Sequence, residues 1–177
     1  MEITALSYLP EESIIESERN TGGEEMRFDE DSVLIDVKVQ DKSALLKYIS
    51  EYSTKIGIAT DALKLNNSFQ QREQEFSTGL EDGFAIPHAK TDAVKEVGII
   101  YARLNKPIEW ETYDNQPVRD VFALMVPPEN AGTSHLKMLA NLSTALLEDS
   151  FKEKLRSLTD PKKIAEYISK EIEVEKI

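Results

Sequence analysis

The chain has 177 residues, with 33 acidic and 21 basic side chains, a formal net charge of −12, 40% hydrophobic residues and no cysteine. That length suits one domain with a sizeable core, and the missing cysteines exclude disulfides, thiolate metal sites and a cysteine nucleophile. An acidic chain is a poor partner for nucleic acid, because phosphate contacts need clustered Lys and Arg, and no apolar run approaches the ~20 residues that cross a bilayer.

The charge is uneven. Residues 1–31 hold ten acids and two bases, net −8, while the remaining 146 residues are net −4. Pro10 and Gly22-Gly23 interrupt this stretch, which reads as a flexible or loosely docked acidic N-terminal arm before a domain over 32–177. Solubility is the ordinary reading of the net charge, and a basic protein partner the functional one. The opening MEITALSYLPEES has no basic region before an apolar core, so no secretory signal is expected and the cytoplasm is the default location.

Ser32 to Gln40 alternates as a strand with one buried face, Leu34, Asp36 and Lys38 against Val33, Ile35, Val37 and Val39. Asp41 and Ser43 can cap a helix over Ala44, Leu45, Leu46, Tyr48, Ile49 and Tyr52, broken at Gly57. Thr60 or Asp61 caps a second helix through Leu63, Leu65 and Phe69 to Arg72. Val97 to Leu104 reads as a strand stopped by Pro107, and Ile108 to Gln116 as a connection bent at Asp114-Asn115. Val118 to Val126 is a further strand, closed by Pro127-Pro128. Gly132-Thr133-Ser134 opens a helix with Leu136, Leu139, Leu142, Ser143, Leu146 and Leu147 along one side, and Phe151 to Leu158 continues helically. Asp160-Pro161 is a cap with proline at the first helical position, leading a last helix lined by Ile164, Tyr167 and Ile168. This order predicts a layered α/β/α sandwich, with a mixed sheet and helices on both faces.

Arg72 to Asp92, REQEFSTGLEDGFAIPHAKTD, concentrates the local constraints. Ser77-Thr78-Gly79 and Asp82-Gly83 are loop chemistry. Phe84-Ala85-Ile86 is a short apolar strand, and Pro87 holds Ile86 extended and ends it. His88 is thereby expected just past a strand end, at the rim of a sheet, with one face open. The only other histidine, His135, falls in the first turn of a helix, where free N–H groups and the positive dipole end make a natural anion site. Neutral imidazole is a nucleophile at pH 7, its ordinary pKa being ~6.5. Phosphoryl transfer needs such a nucleophile, an in-line path and positive groups around the equatorial oxygens.

The wording STG…GFAIPHA, with Arg72-Glu73 upstream, resembles the phosphorylation-site region of the fructose/mannitol-type IIA domains of the bacterial phosphoenolpyruvate-dependent sugar phosphotransferase system. The resemblance covers roughly Val33 to Ile168. Glu81 stands where that family usually has Gly or Ala, and Phe84 where it usually has a small aliphatic residue. The resemblance implies that His88 is the phosphoryl acceptor, through Nε2. It makes His135, in HLKMLANL, the second active-site histidine, and Arg72 the active-site arginine. A guanidinium can hold phosphate bidentately. It further implies a phospho-HPr donor, a IIB acceptor with a cysteine, an indirect link to a membrane IIC permease, and no metal or organic cofactor.

Each residue has an ordinary alternative. His88 can be a satisfied loop histidine, His135 a plain helix-start residue, and Arg72 a surface ion pair or a compensator of its helix dipole. Lys90 and Thr78 lie near in sequence without a motif to single them out. Two histidines 47 residues apart have no HExxH spacing, and Gly79 and Gly83 form neither GxGxxG nor a Walker A loop. Two further functions stay open: a regulatory module using the same histidine as a phosphorylation-state switch, and a non-catalytic adaptor.

Overall fold

The computed structural model describes residues 28–130 and 133–172, without the side chains of residues 130 and 133–135. Most of the acidic arm, residues 1–27, and Gly132 at the expected helix start therefore lie outside the described residues. Among the described residues there are five strands, β1 Val33–Val37, β2 Phe84–Ala85, β3 His88–Lys90, β4 Gly98–Ile108 and β5 Val118–Val126, and five helices, α1 Lys42–Lys55, α2 Ala62–Glu75, α3 Thr133–Ala145, α4 Asp149–Ser157 and α5 Pro161–Ile172; α1 and α2 follow β1, and α3 to α5 follow β5. The strands form one mixed sheet in the order β1-β4-β5-β2, with β3 also paired to β5. Only β4 and β5 are antiparallel; β1 lies parallel to β4, and β2 and β3 lie parallel to β5.

Period-two alternation builds a core on each face of this sheet. Ile100, Ala102 and Leu104 of β4, with Val121, Ala123 and Met125 of β5, pack under α1 and α2 against Leu45, Leu46, Ile49, Leu65 and Phe69. Ile99 and Tyr101, with Phe122 and Leu124, pack on the other side under α3, α4 and α5. This is the α/β/α sandwich expected, and covering both faces explains why β4 and β5 read as nearly continuous apolar runs. Among the described residues no helix is long and apolar enough to cross a membrane.

The helix starts follow local chemistry. Asp41 accepts the Ala44 N–H at 2.8 Å and Asp61 the Lys64 N–H at 3.1 Å. Asp61 is therefore the cap, while Thr60 turns its hydroxyl to the Ala93 carbonyl at 3.2 Å. Asp160 accepts the Lys162 N–H at 3.1 Å in front of Pro161.

Four expectations shift. The alternation of β1 breaks at Asp36, whose φ of 57° bulges the strand, and Ile35 is 37% exposed. Pro107 does not stop β4, which runs on to Ile108. Its pairing with β5 skips from Arg103 to Ile108, so the proline sits where no ladder donor is needed. Phe151 opens no continuation of α3: the chain leaves helix at Leu146–Glu148 and starts α4 at Asp149. Leu142 and Leu146 are buried, but Leu136 and Leu147 are exposed; at 3.6 residues per turn Leu136 points about 120° away from Leu142, and Leu147 lies past the end of α3.

A polar cluster lies between β4, β5 and α4. Asp120 of β5 is fully buried. It accepts the Tyr101 hydroxyl at 2.5 Å and the Arg156 Nε at 3.2 Å, with the Arg103 Nε at 3.6 Å. Arg103 also donates to the Leu158 and Leu155 carbonyls at 2.7 and 2.8 Å. The cluster fastens α4 to the middle of the sheet. Lys152 and Arg156 of the same helix also bond the Asp82–Gly83 turn, through the Asp82 carboxylate and carbonyl.

Candidate functional site

The stretch from Arg72 to Asp92 wraps the open edge of the sheet, where β2 and β3 follow one another along β5. Phe84 and Ala85 pair with Asp120 and Val121, and His88, Ala89 and Lys90 with Leu124, Met125 and Val126. His88 thus lies just past the end of β2, as expected, and opens β3. Pro87 removes a donor and interrupts the ladder, but its carbonyl still accepts the Leu124 N–H at 2.8 Å, so pairing resumes at once.

Ala85 and Ala89 belong to the core under α1 and α2. Alternation therefore turns His88 to the opposite face, the side of α3, with its register partner Leu124. His88 is half-buried. Its Nδ1 is buried.

A ladder of contacts sets α2 against this edge. Lys64 pairs with Asp92 at 2.5 Å, and the Ser68 hydroxyl donates to the Lys90 carbonyl at 3.3 Å. Four helical residues rise about 6 Å and two extended residues about 6.6 Å, so the rungs keep step as the helix climbs and the strand numbers fall. Arg72 stands four residues beyond Ser68 on α2, as His88 stands two residues before Lys90 on β3. Arg72 approaches from the α2 side of the sheet edge, and its Nη1 donates to the Phe76 carbonyl at 2.9 Å. That bond closes the C-terminus of α2 and uses one of five guanidinium N–H donors, so the ordinary capping role of Arg72 is real.

His135 is the third residue of α3; its side chain lies outside the described residues. β5 ends two residues beyond Leu124, and the chain passes through Pro127 and a short 3-10 turn, Pro128–Asn130, before α3 begins. The start of α3 is therefore at the same end of β5 as His88, on the face to which the imidazole turns. Lys90 is exposed. Thr78 is buried and directed inward, its hydroxyl 2.6 Å from the Glu73 carboxylate.

Glu73 is the residue that sequence reasoning passed over. Its side chain is 4% exposed and accepts hydrogen bonds from the Thr78 N–H at 3.0 Å, the Thr78 hydroxyl, Trp110 Nε1 at 2.9 Å and Lys42 Nζ at 3.4 Å. Its only signal in the sequence was its place beside Arg72. The two departures at the turn are absorbed differently. Glu81 is exposed, whereas Phe84 is buried, stacked on Phe122 and covered by the Arg156 guanidinium at 4.6 Å.

The loop before β2 has no room to spare. Gly79 bridges Ala85, and a Cβ built on it would stand 2.2 Å from the Glu111 carbonyl oxygen and 2.9 Å from Trp110. Gly79→Ala is expected to destabilise the protein by about 2–3 kcal/mol, the cost of overpacking against backbone. Urea denaturation checks this, and a loss below about 0.5 kcal/mol, within the range of a surface change, would show that the loop yields freely.

The sequence profile of the family described as phosphoenolpyruvate-dependent sugar phosphotransferase system, EIIA 2, matches residues 26–171. A 2-O-alpha-mannosyl-D-glycerate-specific EIIABC component of Escherichia coli is 29% identical over 74% of this chain and 20% of its own length. A nitrogen regulatory protein of Bradyrhizobium diazoefficiens is 40% identical over 53% of this chain and 61% of its own. The chain thus spans a fifth of the first and under two thirds of the second. A fructose-specific EIIA component of Haloferax volcanii is 28% identical over 75% and 85%. The crystal structure of the nitrogen regulatory protein IIA-Ntr from Neisseria meningitidis superposes with a TM-score of 0.72 and 26% identity, covering 82% of this chain and 97% of that one.

Proposed function

This chain belongs to the EIIA 2 family of the phosphoenolpyruvate-dependent sugar phosphotransferase system, and from that premise we propose that it is a cytoplasmic phosphoryl carrier with His88 as acceptor. The Nε2 lone pair forms a P–N bond as the P–N bond to the phosphohistidine of HPr breaks, and the ring proton stays on the buried Nδ1. The phosphoryl group then passes to the cysteine of a IIB component that serves a membrane IIC permease. Arg72 neutralises charge on the equatorial oxygens, and His135 donates a hydrogen bond from the mouth of α3. The observation that carries this reading is His88 itself, half-buried at the head of the edge strand, in a chain whose residues 26–171 match this family. A fructose-type substrate is the favoured member of the class.

The test is incubation with phosphoenolpyruvate, enzyme I and HPr. An acid-labile gain of one phosphoryl group, mapped by peptide mass to His88, is expected. No gain in mass, or a gain on another residue, sinks the proposal.

A second reading has its own support in the similarity to nitrogen regulatory proteins. There the phosphorylation state of His88 switches contacts with a regulated protein through a local change of charge. Flow of the phosphoryl group to a IIB domain favours the carrier; a partner captured in only one phosphorylation state, without such flow, favours the switch.

A further inference from the structure

Resting on the phosphoryl-carrier reading, we infer that Glu73 is a positioning residue for the reaction at His88, acting through Thr78. Its carboxylate, carried on α2, is buried among donors from three other segments: Lys42 at the start of α1, the loop at Thr78, and Trp110 beyond β4. The grip on Thr78 is two-handed, with the N–H on Oε1 and the hydroxyl on Oε2. This fixes both the backbone and the rotamer of Thr78. The Thr78 carbonyl in turn accepts the Ile86 N–H at 3.0 Å. Between Ile86 and His88 stands only Pro87, whose φ is locked, so the placement of Ile86 passes to the imidazole with little slack.

The same carboxylate steadies the other side of the site. Gln74, Glu75 and Phe76 after it are exposed, and helix ends fray. Glu73 pins the last turn of α2, one residue from Arg72. It therefore sets the spacing between the guanidinium and the imidazole from both directions. A misplacement of ~1 Å at a reacting centre can cost ~10²-fold in rate, so a side chain that touches no phosphate can still govern transfer. An apolar residue would fill the volume but would leave the Thr78 N–H and hydroxyl without acceptors.

The experiment compares five proteins: wild type, Glu73→Gln, Thr78→Val, Thr78→Ser and Trp110→Phe. Glu73→Gln turns an amide donor toward donors. Thr78→Val removes one hand of the grip, Thr78→Ser keeps both, and Trp110→Phe removes a donor outside the path to His88. In phosphoryl uptake from phospho-HPr, Glu73→Gln and Thr78→Val are expected to lower kcat about 10–100-fold with KM within about threefold. Thr78→Ser and Trp110→Phe keep kcat, although Trp110→Phe lowers Tm. The 15N signals of the His88 ring should move or broaden in Glu73→Gln and Thr78→Val, and stay in place in Thr78→Ser, with no phosphoryl donor present. Wild-type kcat and ring signals in a folded Thr78→Val protein would overturn the inference, as would an equal loss of kcat in Trp110→Phe. Failure of the wild type to take up phosphate on His88 counts against the carrier reading alone, because the ring signals still report on positioning.

Discussion

Replacing His88 with alanine is expected to leave a folded protein that takes up no phosphoryl group. The ladder at this position is made by backbone, with the Pro87 carbonyl holding the Leu124 N–H, so removal of the imidazole leaves pairing intact. The stability change should stay within about 1 kcal/mol, as for most substitutions of half-open side chains. Transfer has no substitute nucleophile: there is no cysteine, and the one other histidine is His135. His135→Ala should still take up phosphate, but at least about 10²-fold more slowly, the scale of losing one donor to the transition state. Intact-protein mass and single-turnover rates measure both. Uptake that survives His88→Ala and vanishes in His135→Ala would reverse the two roles.

Asp120→Ala should be the most damaging single change to stability, at about 3–5 kcal/mol, the cost of breaking a buried ion pair from one side. The substitution leaves the Arg103 charge, 11% exposed at its side chain, without its carboxylate. It also strips the Tyr101 hydroxyl of its acceptor and releases Arg156, which ties α4 to β5. Asp120→Asn keeps the shape and one acceptor and should cost less. Urea denaturation separates the two, and a loss under about 1 kcal/mol for the alanine variant would mean that solvent or a rearranged side chain satisfies Arg103. The cluster also has a pH signature. Burial, and secondarily the negative charge of Asp120, push the Tyr101 hydroxyl well above the ordinary tyrosine range. Because the folded state holds this proton more tightly than the unfolded state, the contribution is fully present below pH ~10 and is lost as pH rises beyond it. Stability should therefore fall above pH ~10, and Tyr101→Phe should flatten that fall.

Both His88 and Glu73 lie in a stretch whose local form could be read in advance, yet only His88 stood out as a candidate. His88 announced itself through a motif: Pro87, two flanking alanines and an apolar run constrain the backbone locally. Asp120 and Glu73 gave no such warning. An acidic residue in VRDVFALMV or in REQEF reads as a solvated charge, because acidic side chains are seldom fully buried unless they are paired. Their partners lie far away in sequence. Tyr101 and Arg156 reach Asp120 from β4 and α4, and Lys42 and Trp110 reach Glu73 from α1 and the β4–β5 connection.

The amino-acid order alone decided the elements, because period and capping are local. The nearly continuous apolar runs of β4 and β5 demanded a sheet covered on both faces, and Asp41, Asp61 and Asp160 marked where helices begin. Pro107 and Ile35 misled because a bulge depends on the neighbouring strand, which no local window contains. Only the tertiary structure decided that α2 runs along the edge strand, so that Lys64 meets Asp92 and Ser68 meets Lys90. That register comes from packing α2 on its core, with Leu65 and Phe69 buried between its two observed rungs and the sheet. It is a long-range property of close packing, and so it cannot be read from residues near in sequence.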